Sequence, residues 1–473
     1  MFNFVDRNSS PLILLIAILL LQGCASIYLP PNKSIISTDT QKGYHLLSKE
    51  RKPQGDHAIA LSFSGGGTRA AALSYGVLQE LRDTQIDSMG TRTRILDEVD
   101  TISSVSGGSF TAAYYGLFGD EIFKDYERKF LNQSVQGTLI RKMLNPFYWA
   151  RSMFSAFNRT EMAIEYYDHN IFEGKTFADI PIGKRPFIGI NATDLSTGAR
   201  FSFTQDTFDA ICSDLNRLSV ARAVTASSAV PIAFPSVVLK NYGGTCNSDR
   251  ANYVQRLRSK KELFAEEQAI LDRYNMAQDT SVNPYLHLVD GGISDNLGLR
   301  AILDRVIAMG GIVNRYDSFV HPPKDILVLL VNAAVAPKKS FSQSPIKPSI
   351  SETVDALSST QIALYNEETI IRVKEKIKEY EITLAEFGHP VRFYFVELNF
   401  KSFTSPSIKD FFNNLPTSLE LSKGQVNALI LGGRKLLREN PEYQQFLKAN
   451  NGVLSITEKE NRCNRLLNPL CLR

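Results

Sequence analysis

Asp100-Thr101-Ile102-Ser103-Ser104-Val105-Ser106-Gly107-Gly108-Ser109-Phe110 reads as a strand, a tight turn and the start of a helix. A short apolar run (Ile95, Leu96, Val99, Ile102) ends in the Ser/Gly cluster, and an Ala- and Tyr-rich segment follows. That order puts Ser106 at the turn, its hydroxyl exposed, with small residues on both sides. A nucleophile elbow needs such neighbours, because the strained turn and the approaching substrate leave no room for bulk. The usual pattern is G-x-S-x-G, and here Ser104 stands at the first glycine, adding a Cβ to a crowded turn. Alone, a Ser/Gly-rich turn is more often a plain loop, so the reading depends on two other stretches.

The first is Ala58-Ile59-Ala60-Leu61-Ser62-Phe63, a short strand, followed by Ser64-Gly65-Gly66-Gly67-Thr68-Arg69 and a helix reaching about Leu81. Glycines leave backbone N–H groups unobstructed and a helix start adds partial positive charge, so the loop suits an anion. It lacks the Gly-Lys-Ser/Thr of a nucleotide P-loop and the G-x-G-x-x-G of a dinucleotide site, which argues against an ATPase. The second is Tyr285-Leu286-His287-Leu288-Val289-Asp290-Gly291-Gly292, a strand with a carboxylate at its carboxyl end, where open α/β sheets bind ligands. With all three turns on one sheet edge, Ser106 supplies a hydroxyl and Asp290 a carboxylate to take its proton. Gly65, Gly66 and Gly67 then supply donors for the oxyanion of a tetrahedral intermediate.

Strand and helix alternate through the rest of the chain, which predicts one large α/β domain over 56–335 with a C-terminal extension of the same domain over 336–450. Strands are predicted over 186–192, 199–203, 326–331 and 391–398. Helices are predicted over 219–229, 250–278, 352–387 and 422–449, and 451–473 reads as a tail. From Phe118 to about Ile171 aromatic and basic residues interleave at helical period, among them Tyr126, Phe130, Phe147 and Trp149. Such a surface suits a bilayer interface, although these stripes are more often core on one face and solvated charge on the other.

A net charge of +4 over 473 residues, with no zinc-finger or similar motif, argues against a nucleic-acid partner. The N-terminus carries an address. Arg7 precedes the apolar run Leu12–Leu21, too short to span a bilayer but of signal-peptide length. Leu21-Gln22-Gly23-Cys24 looks like a bacterial lipobox, which makes 1–23 a signal peptide and Cys24 the acylated anchor. Ala25 in place of Asp points, by analogy with such lipoproteins, to the outer membrane. Residues 24–55, polar and containing prolines, read as a tether. Four further cysteines suit two disulfides in an oxidising compartment, the most local pairing being Cys212–Cys246 with Cys463–Cys471. No cysteine or histidine pair has metal-ligand spacing, so no metal is expected.

Taken together, Ser64–Arg69, Ser104-Val105-Ser106-Gly107-Gly108 and Asp290-Gly291-Gly292 resemble, in order and spacing, the patatin-like phospholipases. Ala223–Pro231 with Pro235 resembles another segment of that family, and the similarity runs over roughly 57–335 and on to about 450. The resemblance implies a three-layer α/β/α sandwich with a mostly parallel central sheet and a helical C-terminal extension. It also implies a Ser106–Asp290 dyad without histidine, no cofactor, and a phospholipid or lysophospholipid substrate cleaved through an acyl-enzyme. A free carboxyl near pKa 3.9 is a weak base for an alcohol, so burial has to raise that of Asp290. His287 lies three residues before Asp290 and therefore on the opposite strand face; His321 and His389 read as loop residues, with His321 the alternative base. Asp295 reads as a cap. Arg69 is expected to orient the loop or a substrate phosphate, or to form a salt bridge on the first helix. A non-catalytic envelope lipoprotein that binds lipid or a protein partner is the alternative to an enzyme.

Overall fold

A computed structural model describes residues 30–39, 43–45, 55–155, 157–231, 233–247, 252–335 and 345–454. Its strands are β1 (His57–Phe63), β2 (Thr84–Ser88), β3 (Thr91–Arg94), β4 (Val99–Val105), β5 (Phe187–Asp194), β6 (Arg200–Ser202), β7 (Val237–Lys240), β8 (Tyr285–Asp290), β9 (Asp325–Val331), β10 (Arg392–Leu398) and β11 (Val453–Leu454). The main sheet has eight strands in the order β10-β9-β1-β4-β5-β8-β7, with β6 on β5. From β10 to β5 all neighbours are parallel, whereas β8 runs antiparallel to both β5 and β7. A small antiparallel sheet joins β11, β2 and β3.

The principal helices are α1 (Gly67–Asp83), α2 (Gly107–Phe118), α3 (Val135–Met143), α4 (Pro146–Phe154), α5 (Arg159–Asn170), α6 (Val220–Ser227), α7 (Leu299–Ala308), α8 (Ile350–Glu386) and α9 (Lys423–Glu439). One strand shows why they form two layers. Asp325-Ile326-Leu327-Val328-Leu329-Leu330-Val331 is buried throughout, as a central parallel strand must be. Leu327, Leu329 and Val331 pack with Leu73 and Val77 of α1 and Leu429 of α9. Ile326, Val328 and Leu330, pointing the other way, pack with Leu303 of α7 and Val373 and Leu384 of α8. Alternation along β9 thus defines both outer layers of an α/β/α sandwich.

The C-terminal extension is part of this body. α9 lies against α1 so closely that a Cβ on Gly76 would sit 2.1 Å from the Ile430 carbonyl oxygen. α8 starts at a capping box: the Ser349 side chain accepts from Glu352 N at 3.3 Å, and the Glu352 carboxylate accepts from Ser349 N at 2.8 Å.

Three regions differ from the sequence expectation. The described parts of the expected tether are docked on the body: Asn32 bonds Lys240 N and O at 2.9 and 2.8 Å, and the Tyr44 ring stacks on Phe187 at 4.6 Å. A polar, proline-containing composition conceals such contacts because their partners lie far along the chain. The helical insert over 250–278 is two helices, Asn252–Ser259 and Ala265–Gln278. The tail contributes β11, which pairs with β2. The structure contains a Cys212–Cys246 disulfide; Cys24, Cys463 and Cys471 lie outside the described residues.

Candidate active site

Ser106 follows β4 directly and stands at the N-cap of α2 with φ 50° and ψ −122°, a conformation that strains any residue with a Cβ. Ser106 is buried, not exposed at the turn as the sequence reading expects. Its hydroxyl donates to Asp290 Oδ2 at 2.8 Å, while Asp290 Oδ1 accepts from Gly292 N at 2.7 Å. Both carboxylate oxygens are therefore held. Strand register explains the meeting. Val105 pairs with Asn191, so Ser106 is level with Ala192 on β5, and Ala192 pairs with Asp290 on β8.

Asp290 reaches that level on an antiparallel strand, not on a parallel one with its carboxyl end at the shared sheet edge. The overlap of β5 and β8 is only Ala192–Asp194 with Leu288–Asp290, so the two strand ends meet beside the serine. Burial pushes the Asp290 carboxyl up to about 6, against the lowering pull of the hydrogen bonds from Gly292 N–H and Ser106 Oγ–H. That value lies much nearer neutral pH than that of a free carboxyl, which makes it a better-matched base. If Asp290 takes the serine proton, kcat/KM rises with pH through about 6, as the carboxyl ionises, and levels off above. A profile flat from about pH 5 to 8 would exclude this role.

Gly66 and Gly67 have φ 140° and 61°, and their N–H groups have no hydrogen-bond partner among the described residues. A Cβ on Gly107 would lie 1.9 Å from the Gly67 carbonyl oxygen, so the glycine loop rests directly on the start of α2. Gly65 departs from its expected role. Its N–H donates to the Asn296 carbonyl at 3.0 Å, which fixes the loop and leaves Gly66 and Gly67 as the oxyanion candidates.

Arg69 is buried and points inward onto two backbone carbonyls and one hydroxyl. Nε donates to Ala333 O at 2.9 Å, Nη1 to Leu415 O at 2.7 Å and Nη2 to Thr417 Oγ1 at 3.0 Å. Burial lowers its pKa to about 10, which leaves it charged at neutral pH. Among the described residues no carboxylate pairs with it, so the expected salt bridge is absent; its contacts suit loop positioning.

Ser104 sits buried on β4, level with Ile190 of β5, and its Oγ donates to Gly189 O at 3.0 Å, which satisfies the hydroxyl that the departure from glycine adds. All six histidines are described, and none is bonded to Ser106 or Asp290. His287 bonds Ser236 Oγ at 3.1 Å, and His57 bonds Asp325 at 2.7 Å. Asp295 accepts from Ala301 N at 3.1 Å at the start of α7. Among the described residues no group of three or more His, Cys, Asp or Glu is placed to hold a metal.

Two positioning residues escape the sequence reading. Ser227, at the end of α6, accepts from Ser106 N at 2.9 Å and donates to Asn191 O at 2.6 Å; its carbonyl accepts from Gly291 N at 3.1 Å. It therefore ties the serine turn, the Asp turn and β5 together. Asn296 ties the glycine loop to the segment after Asp290. The Ala223–Pro231 similarity was the available signal for Ser227; nothing local marked Asn296 as a partner of Gly65.

Ser106 and Asp290 thus form a buried, hydrogen-bonded pair beside the glycine loop of an α/β/α sandwich. The family model for patatin-like phospholipases matches residues 61–303, just over half of the sequence, and the chain belongs to that family. Among solved structures it is similar to human GIVD cytosolic phospholipase A2, with 14% identity and a TM-score of 0.34. The match covers 62% of this chain and 49% of that one, so the chain spans about half the length of that protein. No curated protein matches it at a significant level.

Proposed function

We propose that the protein is a serine acyl-ester hydrolase of phospholipase A or lysophospholipase type, with Ser106 as nucleophile and Asp290 as general base. The 2.8 Å hydrogen bond between these two side chains carries the reading. Ser106 Oγ attacks the acyl carbonyl of a phospholipid or lysophospholipid as its proton passes to Asp290 Oδ2. The carbonyl oxygen becomes an oxyanion beside the N–H groups of Gly66 and Gly67. Asp290 returns the proton to the departing glyceryl oxygen, leaving acyl-Ser106. A water, deprotonated by the same carboxylate, then releases the fatty acid. The N-terminus of α2 favours negative charge on Oγ during attack.

The lipobox-like Leu21-Gln22-Gly23-Cys24 supports a lipid anchor on Cys24 and a place in the bacterial envelope, at the outer membrane by the Ala25 argument. The Cys212–Cys246 disulfide suits the same oxidising compartment. The test is fatty-acid release from phospholipid and from lysophospholipid micelles by the protein beside Ser106→Ala. Release that stops in the variant supports the hydrolase; bound lipid without release would favour a carrier role.

A further inference from the structure

The segment between α2 and β5 presents apolar side chains to solvent on α3 and α4. On the α3–α4 hairpin Ile140, Leu144, Phe147 and Trp149 are 50%, 75%, 83% and 64% exposed. Ile140 and Leu144, four residues apart, share one helix face, and Asn145 caps α4 by accepting from Phe147 N at 3.0 Å. Elsewhere in the same aromatic stretch Tyr126 and Phe130 are core, with Phe130 stacked on Phe110 at 4.5 Å. Within this aromatic stretch, exposure of large apolar side chains is thus concentrated on α3 and α4.

Charge narrows the occupant. Val135 to Phe154 contains Arg141, Lys142 and Arg151 and no Asp or Glu. No helix among the described residues is long and apolar enough to cross a membrane. Arg151 is paired with Glu165 at 2.8 Å, which leaves Arg141 and Lys142 as the cations of an amphipathic element whose exposed Phe, Trp and Leu match a helix lying in the headgroup region of an anionic bilayer.

Position supports the same partner. Residues 415–420 bridge the hairpin and the glycine loop: Thr68 N donates to Ser418 O at 2.9 Å, and Leu415 O and Thr417 Oγ1 hold Arg69. Two residues on, the Glu420 carboxylate accepts from Ser134 Oγ at 2.7 Å and Gly137 N at 3.2 Å, fixing the start of α3. We infer that the α3–α4 hairpin is an interfacial docking surface for anionic bilayers, placed beside the glycine loop so that lipid is taken directly from the membrane. The inference rests on the hydrolase reading for its purpose, but not for its test.

Trp149 is the only tryptophan in the chain, so its fluorescence reports this surface alone, whichever other segment holds the protein to a membrane. The experiment adds phosphatidylcholine vesicles, with and without phosphatidylglycerol, to the full chain carrying Ser106→Ala, which prevents turnover. Anionic vesicles should blue-shift the emission and protect it from aqueous quencher, and raised salt should weaken the effect. Phe147→Ser and Leu144→Ser, both at exposed positions, should each weaken the vesicle titration by about tenfold. With Ser106 intact, Phe147→Ser should leave hydrolysis of a short soluble ester unchanged while slowing hydrolysis in vesicles. An unshifted Trp149 spectrum while vesicles bind the protein overturns the inference, as does a shift that follows protein concentration without vesicles, which would indicate a second copy. Failure of ester hydrolysis with the Trp149 shift intact would instead remove the hydrolase reading and leave the docking surface standing.

Discussion

Asp290→Asn is expected to lower ester hydrolysis by about 100- to 10,000-fold, the usual contribution of a positioned base, while making the folded chain more stable. The side chains are nearly isosteric, and an amide oxygen still accepts from Gly292 N–H. Asp290 has its carboxyl raised from 3.8 to about 6 by burial. A raised carboxyl favours the fold only while it is protonated. Below about pH 4 the group is neutral in both states, and its burial costs nothing extra. As pH rises through 6 the native state must ionise a group that the unfolded chain has already ionised freely. A shift of roughly two units then removes about 3 kcal/mol of stability at neutral pH. The amide never ionises. Its advantage should therefore grow between about pH 4 and 6 and level off above, as read by urea unfolding across that range. Equal stability of the two proteins at all pH values would mean that the carboxyl is solvated, and the argument for a matched base would fail.

Ser106→Ala should have the larger effect on rate, on the order of a million-fold, because removal of a nucleophile eliminates the covalent route itself. Comparison with Ser106→Gly separates chemistry from strain. Both variants lose the hydroxyl and its hydrogen bond to Asp290, but only glycine adopts φ 50° and ψ −122° without steric cost. Ser106→Gly should thus be more stable than Ser106→Ala by about 1 kcal/mol, with both inactive. The reverse order would mean that the turn is relaxed, contrary to a nucleophile elbow.

Much of the fold was legible because its signals are local. The apolar run of β9, the glycine loop and the small residues around Ser106 each identify an element from consecutive positions. What could not be read depends on partners far apart in sequence. Gly65 looked equivalent to Gly66 and Gly67 until its N–H met the carbonyl of Asn296, 231 residues away. Arg69 offered a charge, and only the fold shows it spent on the carbonyls of Ala333 and Leu415 and the hydroxyl of Thr417. The antiparallel direction of β8 was hidden for a similar reason: a strand's own pattern does not encode the sense of its neighbours. Asn32 and Tyr44, in a stretch that reads as linker, anchor the chain through contacts with Lys240 and Phe187.

The central claim is that Ser106 forms the acyl-enzyme, and covalent trapping tests it most directly. The protein would be treated with a fluorophosphonate, digested, and mapped by mass spectrometry while ester hydrolysis is followed in parallel. The expected result is one adduct, on the peptide containing Ser106, formed in step with loss of activity, absent from Ser106→Ala and slowed in Asp290→Asn. An adduct on another residue that tracks the loss of activity, or full activity in protein labelled at Ser106, would contradict it.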